Sequence, residues 1–171
     1  MSKKAVLVTG GFDPIHKGHI EYLREAKRLG DILYVGLNSD HWLTRKKGQP
    51  FMNLENRAIV MQSLSMVDEV IIFNDEDDTS CHAIHQALQF YDEVIFANGG
   101  DRIITNVPEY DTFKDDERVK FVCNVGGDKT ESSSWLLDKW KSPSTIRKWG
   151  YYKDLYLGKG FKVKELVIKP F

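Results

Sequence analysis

The distribution of apolar and polar residues predicts alternating strands and helices along most of the chain. Short apolar segments rich in valine, isoleucine and leucine are typical of strands buried in a parallel sheet. They lie at Lys4–Thr9, Asp31–Asn38, Val67–Phe73, Glu93–Ala97 and Val119–Val125. Because helical segments separate them, the pattern predicts an α/β fold with a doubly wound, mostly parallel sheet of five strands.

Helix signals occupy several of the intervening segments. Apolar residues recur on one helix face over Ile20–Leu29, and a glycine follows. A second helix is predicted over Leu54–Leu64, with Asn53 as its N-cap. Residues 41–52 contain a run of basic residues and are predicted to form a loop.

The C-terminal part of the chain has a different pattern. Residues 149–169 alternate between apolar and polar residues on either side of Gly158-Lys-Gly160, which predicts a β-hairpin appendage. Two strands are marginally stable alone, so the hairpin is expected to pack on another surface. We therefore predict one domain over residues 1–141, followed by a linker and hairpin tail over residues 142–171.

Composition excludes several classes of function. The net charge of the 171 residues is −1, so no basic field suggests nucleic acid as a partner. No apolar run is long enough to predict a membrane span, and the first residues lack the pattern of a signal peptide. The two cysteines, Cys81 and Cys123, are predicted to be free thiols rather than a disulfide or a metal site. A cytoplasmic location is expected.

The strongest chemical signal follows the first strand. Residues 10–19 are Gly-Gly-Phe-Asp-Pro-Ile-His-Lys-Gly-His, in which glycines allow a sharp turn between a strand and a helix. His16 and His19 are three residues apart and would share one face at a helix N-terminus, where N–H groups attract anions. Gly18 leaves room between them for a phosphate.

This segment resembles the signature of the HxGH nucleotidyltransferases. It is most similar to the cytidylyltransferases, such as glycerol-3-phosphate cytidylyltransferase, and to the adenylyltransferase that activates heptose 1-phosphate. The resemblance covers residues 3–140 and implies a Rossmann-like domain in which His16 and His19 stabilise the transition state on a nucleoside triphosphate. It also implies nucleotide contacts at Gly10, Gly11, Phe12, Asp13, Gly18, Arg57, Gly100, Asp101, Ser132, Ser133 and Ser134.

The resemblance also implies roles for basic residues after the second strand. A lysine between the second strand and the next helix would contact both the acceptor's phosphate and the triphosphate. Lys46 and Lys47 both match, and Lys46 is favoured as the catalytic one. A solvated basic loop is the alternative for these lysines. Arg57 is predicted near the nucleotide, with a surface ion pair to Glu55 as the alternative.

Two later segments carry weaker signals. Gly99-Gly100-Asp101 follows the fourth strand, and Asp101 is a candidate for contact with a base, a ribose or a metal, or else part of a simple turn. The serines at 132–134 match a phosphate-binding segment of the family, although helix N-capping would also explain them. The family's arginine is absent there, and Lys129 lacks its planar fork.

The resemblance implies an enzyme that transfers a cytidylyl group from CTP to a small phosphorylated polyol or sugar and releases pyrophosphate. Mg²⁺ is expected with the triphosphate rather than in a protein metal site, and a homodimer is expected from the family. The alternatives are an ATP-dependent adenylyltransferase acting on a heptose phosphate and a non-catalytic nucleotide-binding module. The tail resembles the opening strands of a mannose-6-phosphate isomerase-type cupin, without the cupin metal ligands.

Overall fold

The computed structural model describes residues 4–100, 102–128, 130–141 and 144–170. The strands are β1 (Lys4–Gly10), β2 (Ile32–Leu37), β3 (Glu69–Ile72), β4 (Glu93–Gly99), β5 (Val119–Val125), β6 (Ser144–Arg147), β7 (Gly150–Gly158) and β8 (Phe161–Ile168). The helices are α1 (Lys17–Lys27), α2 (Asp40–Lys47), α3 (Leu54–Gln62), α4 (Cys81–Ala87), α5 (Glu109–Phe113) and α6 (Ser133–Lys141), with a 3₁₀ turn at Ile104–Asn106. Within these ranges no helix has the length and apolar character needed to cross a membrane.

The chain divides into two compact units, Met1–Ser133 and Ser134–Phe171. The first unit contains a five-stranded sheet in the order β3-β2-β1-β4-β5. Every neighbouring pair in it is parallel, which confirms the predicted doubly wound α/β sheet. The chain winds outward from β1 to β3 and then returns to β4 on the other side of β1. Ligands of such sheets bind beyond the carboxyl ends of the strands at this reversal.

Helices cover both faces of the sheet. Val6 and Val8 of β1 pack in one core cluster together with Leu23 of α1 and Met61 of α3. Leu7, between those two valines, lies in a second cluster that includes residues of α4. Because alternate residues of a strand point to opposite faces, β1 is buried from both sides. The first strand is therefore a rigid base for the segment that follows it.

The prediction of a loop over residues 41–52 is wrong for its first half, where the chain forms α2. Ser39 is the N-cap and its hydroxyl accepts a hydrogen bond from the Trp42 amide. The acidic residue at the first position and the three basic residues in the last turn match the polarity of the helix dipole. The periodic apolar signal was weak because Leu43 is the only buried residue that the helix presents among its described positions.

The second unit ends in a three-stranded antiparallel sheet in the order β6-β7-β8. The predicted hairpin is confirmed as β7 and β8, which are joined through Lys159 and Gly160. The linker was predicted to include residues that form β6, which pairs with the start of β7. Their pairing was missed because β6 is short. The domain assignment of the tail and its resemblance to a cupin stay predictions.

Candidate active site

A pair of stacked histidines lies where β1 leads into α1. The backbone carbonyl of His16, the N-cap residue, accepts hydrogen bonds from the amides of His19 and Ile20 at 2.9 and 3.2 Å. The two imidazole rings stack with centroids 3.7 Å apart and planes 26° apart. A Cβ atom at Gly18 would lie 3.2 Å from two atoms of the His16 ring, so the glycine allows this ring to lie across the first helical turn.

His19 is held in an environment that keeps it neutral. The buried Phe12 ring packs against the His19 ring in a T-shaped arrangement, with centroids 5.0 Å apart. Burial, together with the nearby His16 and Lys47, lowers the pKa of His19 to about 3. Its Nδ1 atom is buried and has no hydrogen-bond partner within the described residues. A neutral imidazole can therefore offer a hydrogen bond to a ligand here.

His16 faces the segment that leads into α6. Its Nδ1 atom lies 3.6 Å from the Glu131 carboxylate. The buried Ser133 donates a hydrogen bond from its hydroxyl to the Pro14 carbonyl at 2.9 Å, which fixes this segment to the histidine motif. Ser132 is half-buried beside it, and Ser134 is exposed. Lys129 lies outside the described residues.

Asp13 holds the segment after α2 in place through hydrogen bonds. Its fully buried carboxylate accepts hydrogen bonds from the amides of Phe51 and Met52, both at 2.7 Å. Its backbone carbonyl accepts a hydrogen bond from the Lys47 ammonium at 2.9 Å. Both carboxylate oxygens are thus engaged with protein amides. The arrangement suits a residue that positions its neighbours more than one that contacts a nucleotide.

The two candidate lysines occupy different places. Lys47 lies close enough to His19 to depress its pKa, and partial burial lowers the pKa of Lys47 itself. The exposed Lys46 holds its ammonium 4.2 Å from the centroid of the Trp42 ring. Although the sequence favoured Lys46, the structure brings Lys47 to the histidine pair.

Arg57 is buried and joins several segments around the carboxyl ends of β1 and β2. Its guanidinium donates to the carbonyls of Gly11 and Asn38, both at 2.9 Å, and to the Met52 carbonyl at 3.1 Å. It also forms an ion pair with Asp40 at 2.6 Å. The surface pairing with Glu55 that the sequence left open is therefore replaced by an internal one.

The glycines of the candidate site allow close packing. A Cβ atom at Gly11 would lie 2.7 Å from the Leu43 side chain, so α2 packs directly on the turn after β1. Gly10 packs under the Phe12 ring in the same way. Gly100 follows β4 in a left-handed conformation with φ of 66°. Asp101, the predicted base, ribose or metal contact, lies outside the described residues.

Sequence reasoning missed three polar residues near this site. Asn98 near the end of β4 has a buried amide nitrogen that lacks a hydrogen-bond partner among the described residues. Its position as a polar residue directly after the apolar run of β4 could have indicated Asn98 from the sequence. Glu131 and Asp40 gave no signal of their own, because their partners His16 and Arg57 are distant in the sequence.

Comparison with known proteins gives a consistent match over the first unit. The family model described as "Cytidylyltransferase-like" matches residues 7–135. The "Bifunctional protein HldE" of Helicobacter pylori (strain P12) is 39% identical over 141 residues, which cover 81% of this chain and 28% of the relative. The protein of the same name from Aliarcobacter butzleri (strain RM4018) is 35% identical over 124 residues, 71% of this chain and 25% of the relative. The chain thus spans about a quarter of these curated relatives.

Two solved structures are also similar. The lipopolysaccharide core biosynthesis protein from Thermoplasma volcanium GSS1 matches with a TM-score of 0.57 and 27% identity, over 71% of this chain and 96% of that one. A putative nicotinate-nucleotide adenylyltransferase from Vibrio parahaemolyticus matches with a TM-score of 0.52, over 80% of this chain and 86% of that one. At 17% identity the second match supports the fold alone.

The buried guanidinium generates a stability prediction. We expect Arg57→Lys to lower the free energy of unfolding by about 2–4 kcal/mol, because an ammonium cannot reach the four groups that the guanidinium joins. Urea unfolding measures the change. The matched control is Arg45→Lys, since Arg45 also pairs with a carboxylate but is largely exposed. The control should lose no more than about 1 kcal/mol. Equal losses in the two variants would contradict the role of Arg57.

The neutral His19 generates a pH prediction. The pKa of His19 is about 3 in the folded chain and about 6.5 when unfolded, so the unfolded state binds the proton first as the pH falls. The stability that neutral His19 contributes is present above pH 6.5 and is lost between pH 6.5 and 3. We expect His19→Gln to flatten the decline in unfolding free energy by up to about 1.4 kcal/mol per pH unit.

Urea unfolding at a series of pH values tests this expectation. His82→Gln is the control, because His82 is an exposed histidine away from the stacked pair. The control should keep the slope of the unmodified chain. A His19→Gln variant with an unchanged slope would show that His19 titrates normally in the folded state.

Proposed function

Because the chain belongs to the cytidylyltransferase-like family, we propose that it transfers a nucleotidyl group from a nucleoside triphosphate to a small phosphorylated sugar or polyol. A phosphate oxygen of the acceptor attacks the α-phosphorus. The bond from this phosphorus to the oxygen bridging it to the β-phosphorus breaks, and pyrophosphate leaves with that electron pair. No covalent intermediate with the chain is needed. Positioning and charge stabilisation supply the catalysis.

The observation that carries this proposal is the stacked pair His16 and His19 at the start of α1. The pair stands beyond the carboxyl end of β1, beside the point where the strand order reverses, which is where ligands of open α/β sheets bind. The N-terminal end of a helix favours anions, and Gly18 leaves room for the His16 ring to lie over this end of α1. The two imidazoles would stabilise the charge that develops on the triphosphate.

Different side chains of the site would have different roles in the proposed reaction. Because His19 stays neutral at physiological pH, it would act as a hydrogen-bond donor rather than as a cation. Lys47 would supply the positive charge, since its ammonium donates to the Asp13 carbonyl and lies close enough to His19 to lower the pKa of that residue. Arg57 and Asp13 would act as positioning residues that hold the Lys47 segment against the motif.

The remaining predicted residues would bind the nucleotide around this centre. Ser132 would add a hydroxyl group for the phosphates, whereas Ser133, whose hydroxyl donates to the Pro14 carbonyl, would position this segment. Gly100 and Asp101 would line the base or ribose after β4. The buried amide nitrogen of Asn98, which has no partner in the part of the chain that the structure describes, is a further candidate in the same segment. We expect Mg²⁺ on the triphosphate oxygens, the binding mode that this cation prefers, where it would neutralise phosphate charge.

CTP and ATP are the two candidates for the nucleotide donor. The sequence motif predicts CTP as the nucleotide donor. The alternative is ATP as the donor with a heptose phosphate as the acceptor. The match to a lipopolysaccharide core biosynthesis protein at 27% identity favours a sugar phosphate as acceptor. The motif resembles two groups of enzymes. Of these, the adenylyltransferase of heptose 1-phosphate is the one that acts on a sugar phosphate. ATP is therefore a second candidate of at least equal standing.

Pyrophosphate release tests this function. We expect release with one of CTP and ATP, tested singly with Mg²⁺, in the presence of one member of a panel that includes glycerol 3-phosphate and heptose 1-phosphate. His16→Ala should lower kcat by about 10²–10³-fold, because one stabilising group in the transition state is lost. His82→Ala is the control with an exposed histidine, and it should keep full activity.

The outcomes separate the candidate functions. Release with CTP and a polyol phosphate supports the sequence prediction, whereas release with ATP and a heptose phosphate supports the second candidate. Nucleotide binding without release over the whole panel would favour a non-catalytic binding module. Full activity in His16→Ala would contradict the role of the histidine pair.

The contrast between the adjacent lysines gives a separate prediction. We expect Lys47→Met to lower kcat/KM by about 10²-fold, because the site loses its charge next to His19. Lys46→Met is the matched control on the neighbouring position and should lower it by less than about tenfold. Steady-state kinetics with the active pair of substrates measures both. A larger loss of kcat/KM in Lys46→Met than in Lys47→Met would identify Lys46, which the sequence favoured, as the catalytic lysine.

A further inference from the structure

The Glu131 carboxylate faces the histidine pair from the segment that leads into α6. Its Oε2 atom lies 3.6 Å from Nδ1 of His16, and the His16 side chain is only 7% exposed. The neighbouring Ser133 is buried, and its hydroxyl donates to the Pro14 carbonyl at 2.9 Å. This hydrogen bond fixes the segment to the chain two residues before His16. The approach of Glu131 to the imidazole is therefore built into the fold of the first unit.

The orientation of the His16 ring determines which of its nitrogens carries a proton. A carboxylate only accepts hydrogen bonds, so the ring nitrogen that faces Glu131 is favoured in its N–H form. The same edge of the ring lies over Gly18, where a Cβ atom would be 3.2 Å from both Nδ1 and Cε1. Nδ1 is thus directed to protein groups, and Nε2 is the nitrogen suited to a phosphate. Nε2 can donate while Nδ1 keeps its proton only when the ring is an imidazolium.

The stacked arrangement of the two rings accommodates one positive charge. Two imidazolium rings with centroids 3.7 Å apart would repel each other, whereas an imidazolium beside a neutral imidazole avoids this repulsion. His19 is the neutral member, because its burial, with His16 and Lys47 nearby, lowers its pKa to about 3. When two titrating groups lie this close, their surroundings decide which of them holds the proton. The carboxylate beside His16 favours the proton on His16.

Other charged groups come close to the pair from α1, α2 and the turn after β1. Lys47 of α2 disfavours a second cation at the ring that it faces. The Asp13 carboxylate is engaged by two backbone amides of the segment after α2. On α1 the Lys17 ammonium is 75% exposed and pairs with Glu21 at 3.4 Å, so water and its partner screen its charge. Negative charge at His16 therefore comes from Glu131.

We propose that Glu131 is a positioning residue that directs the His16 ring through Nδ1 and keeps it protonated, so that the pair consists of an imidazolium at His16 and a neutral imidazole at His19. The assignment rests on the proposed function, in which both rings meet the triphosphate. The imidazolium donates a hydrogen bond from Nε2 to a phosphate oxygen on which negative charge develops, and no proton is transferred. Its charge adds to the charge of Lys47.

Nuclear magnetic resonance of the 171-residue chain with isotope-labelled histidine tests the role of Glu131 without any nucleotide. We expect the His16 signals, identified by their loss in His16→Gln, to show a protonated Nδ1. Glu131→Gln should lower the pH at which His16 loses its proton by about one pH unit, the lower end of the usual effect, because the carboxylate is partly exposed. Glu131→Asp keeps the charge and should keep most of the effect.

Glu25→Gln is the matched control for this titration. Glu25 is also a partly exposed glutamate paired with a basic residue, Arg28 at 2.6 Å, but it lies more than one helical turn beyond His19 on α1. The variant removes the same charge from the chain and should leave the titration of His16 unchanged. An identical titration of His16 in Glu131→Gln and in the unmodified chain would overturn the role of Glu131, and so would an equal shift in the control.

The pH dependence of kcat/KM with the active pair of substrates tests the consequence for catalysis. Because Glu131→Gln loses the imidazolium at lower pH, we expect kcat/KM to fall about tenfold at about pH 8.5 but less than about threefold at about pH 6. Glu131→Asp should restore most of the activity at the higher pH. A loss of the same size at every pH would indicate a purely structural role and would overturn the proposal.

The two experiments separate failure of this proposal from failure of the proposed function. A chain that releases no pyrophosphate over the whole substrate panel would contradict the proposed function, while the titration would still decide whether Glu131 holds the proton on His16. Normal pyrophosphate release together with an unchanged titration in Glu131→Gln would contradict the role of Glu131 alone. Circular dichroism of each variant should match the unmodified chain, which excludes a folding defect as the cause.

Discussion

A buried guanidinium holds the carboxyl ends of the first two strands together, and the geometry of the candidate site depends on it. Arg57 donates to carbonyls beyond both strands and to the carbonyl of Met52. Asp13 accepts a hydrogen bond from the amide of the same Met52 residue. Because the two charged side chains are buried, removing either would leave unpaired polar groups away from water. The segment after α2 is thereby fixed to the segment that carries the histidines.

The same burial sets the electrostatics of the site. Two imidazoles 3.7 Å apart would repel each other if both were charged, and burial of His19 removes that conflict by keeping it neutral. Positive charge comes instead from Lys47 and from the start of α1. A site built in this way attracts an anion while keeping a hydrogen-bond donor whose protonation does not change near neutral pH. This combination suits the binding of a polyphosphate.

The two units of the chain are stabilised by different means. In the first, helices bury both faces of a five-stranded parallel sheet, and the central strand has no contact with solvent over Ala5–Val8. In the second, the strands form a hydrogen-bonded hairpin whose register shifts between Asp154 and Tyr156, and every residue of β8 is exposed. Backbone pairing alone gives such a small sheet marginal stability.

Local patterns in the sequence determined the parallel strands, the turn from β1 into α1 with its two histidines, and the C-terminal hairpin. Each is encoded by neighbours along the chain, through apolar runs, glycines and alternation. The tertiary structure alone decided that Lys47 rather than Lys46 approaches His19, and that Asp13 and Arg57 bind protein groups. Those outcomes depend on contacts between residues far apart in sequence, such as Arg57 with Gly11, which no local periodicity records. They become visible only when the ends of neighbouring strands meet at one edge of the sheet.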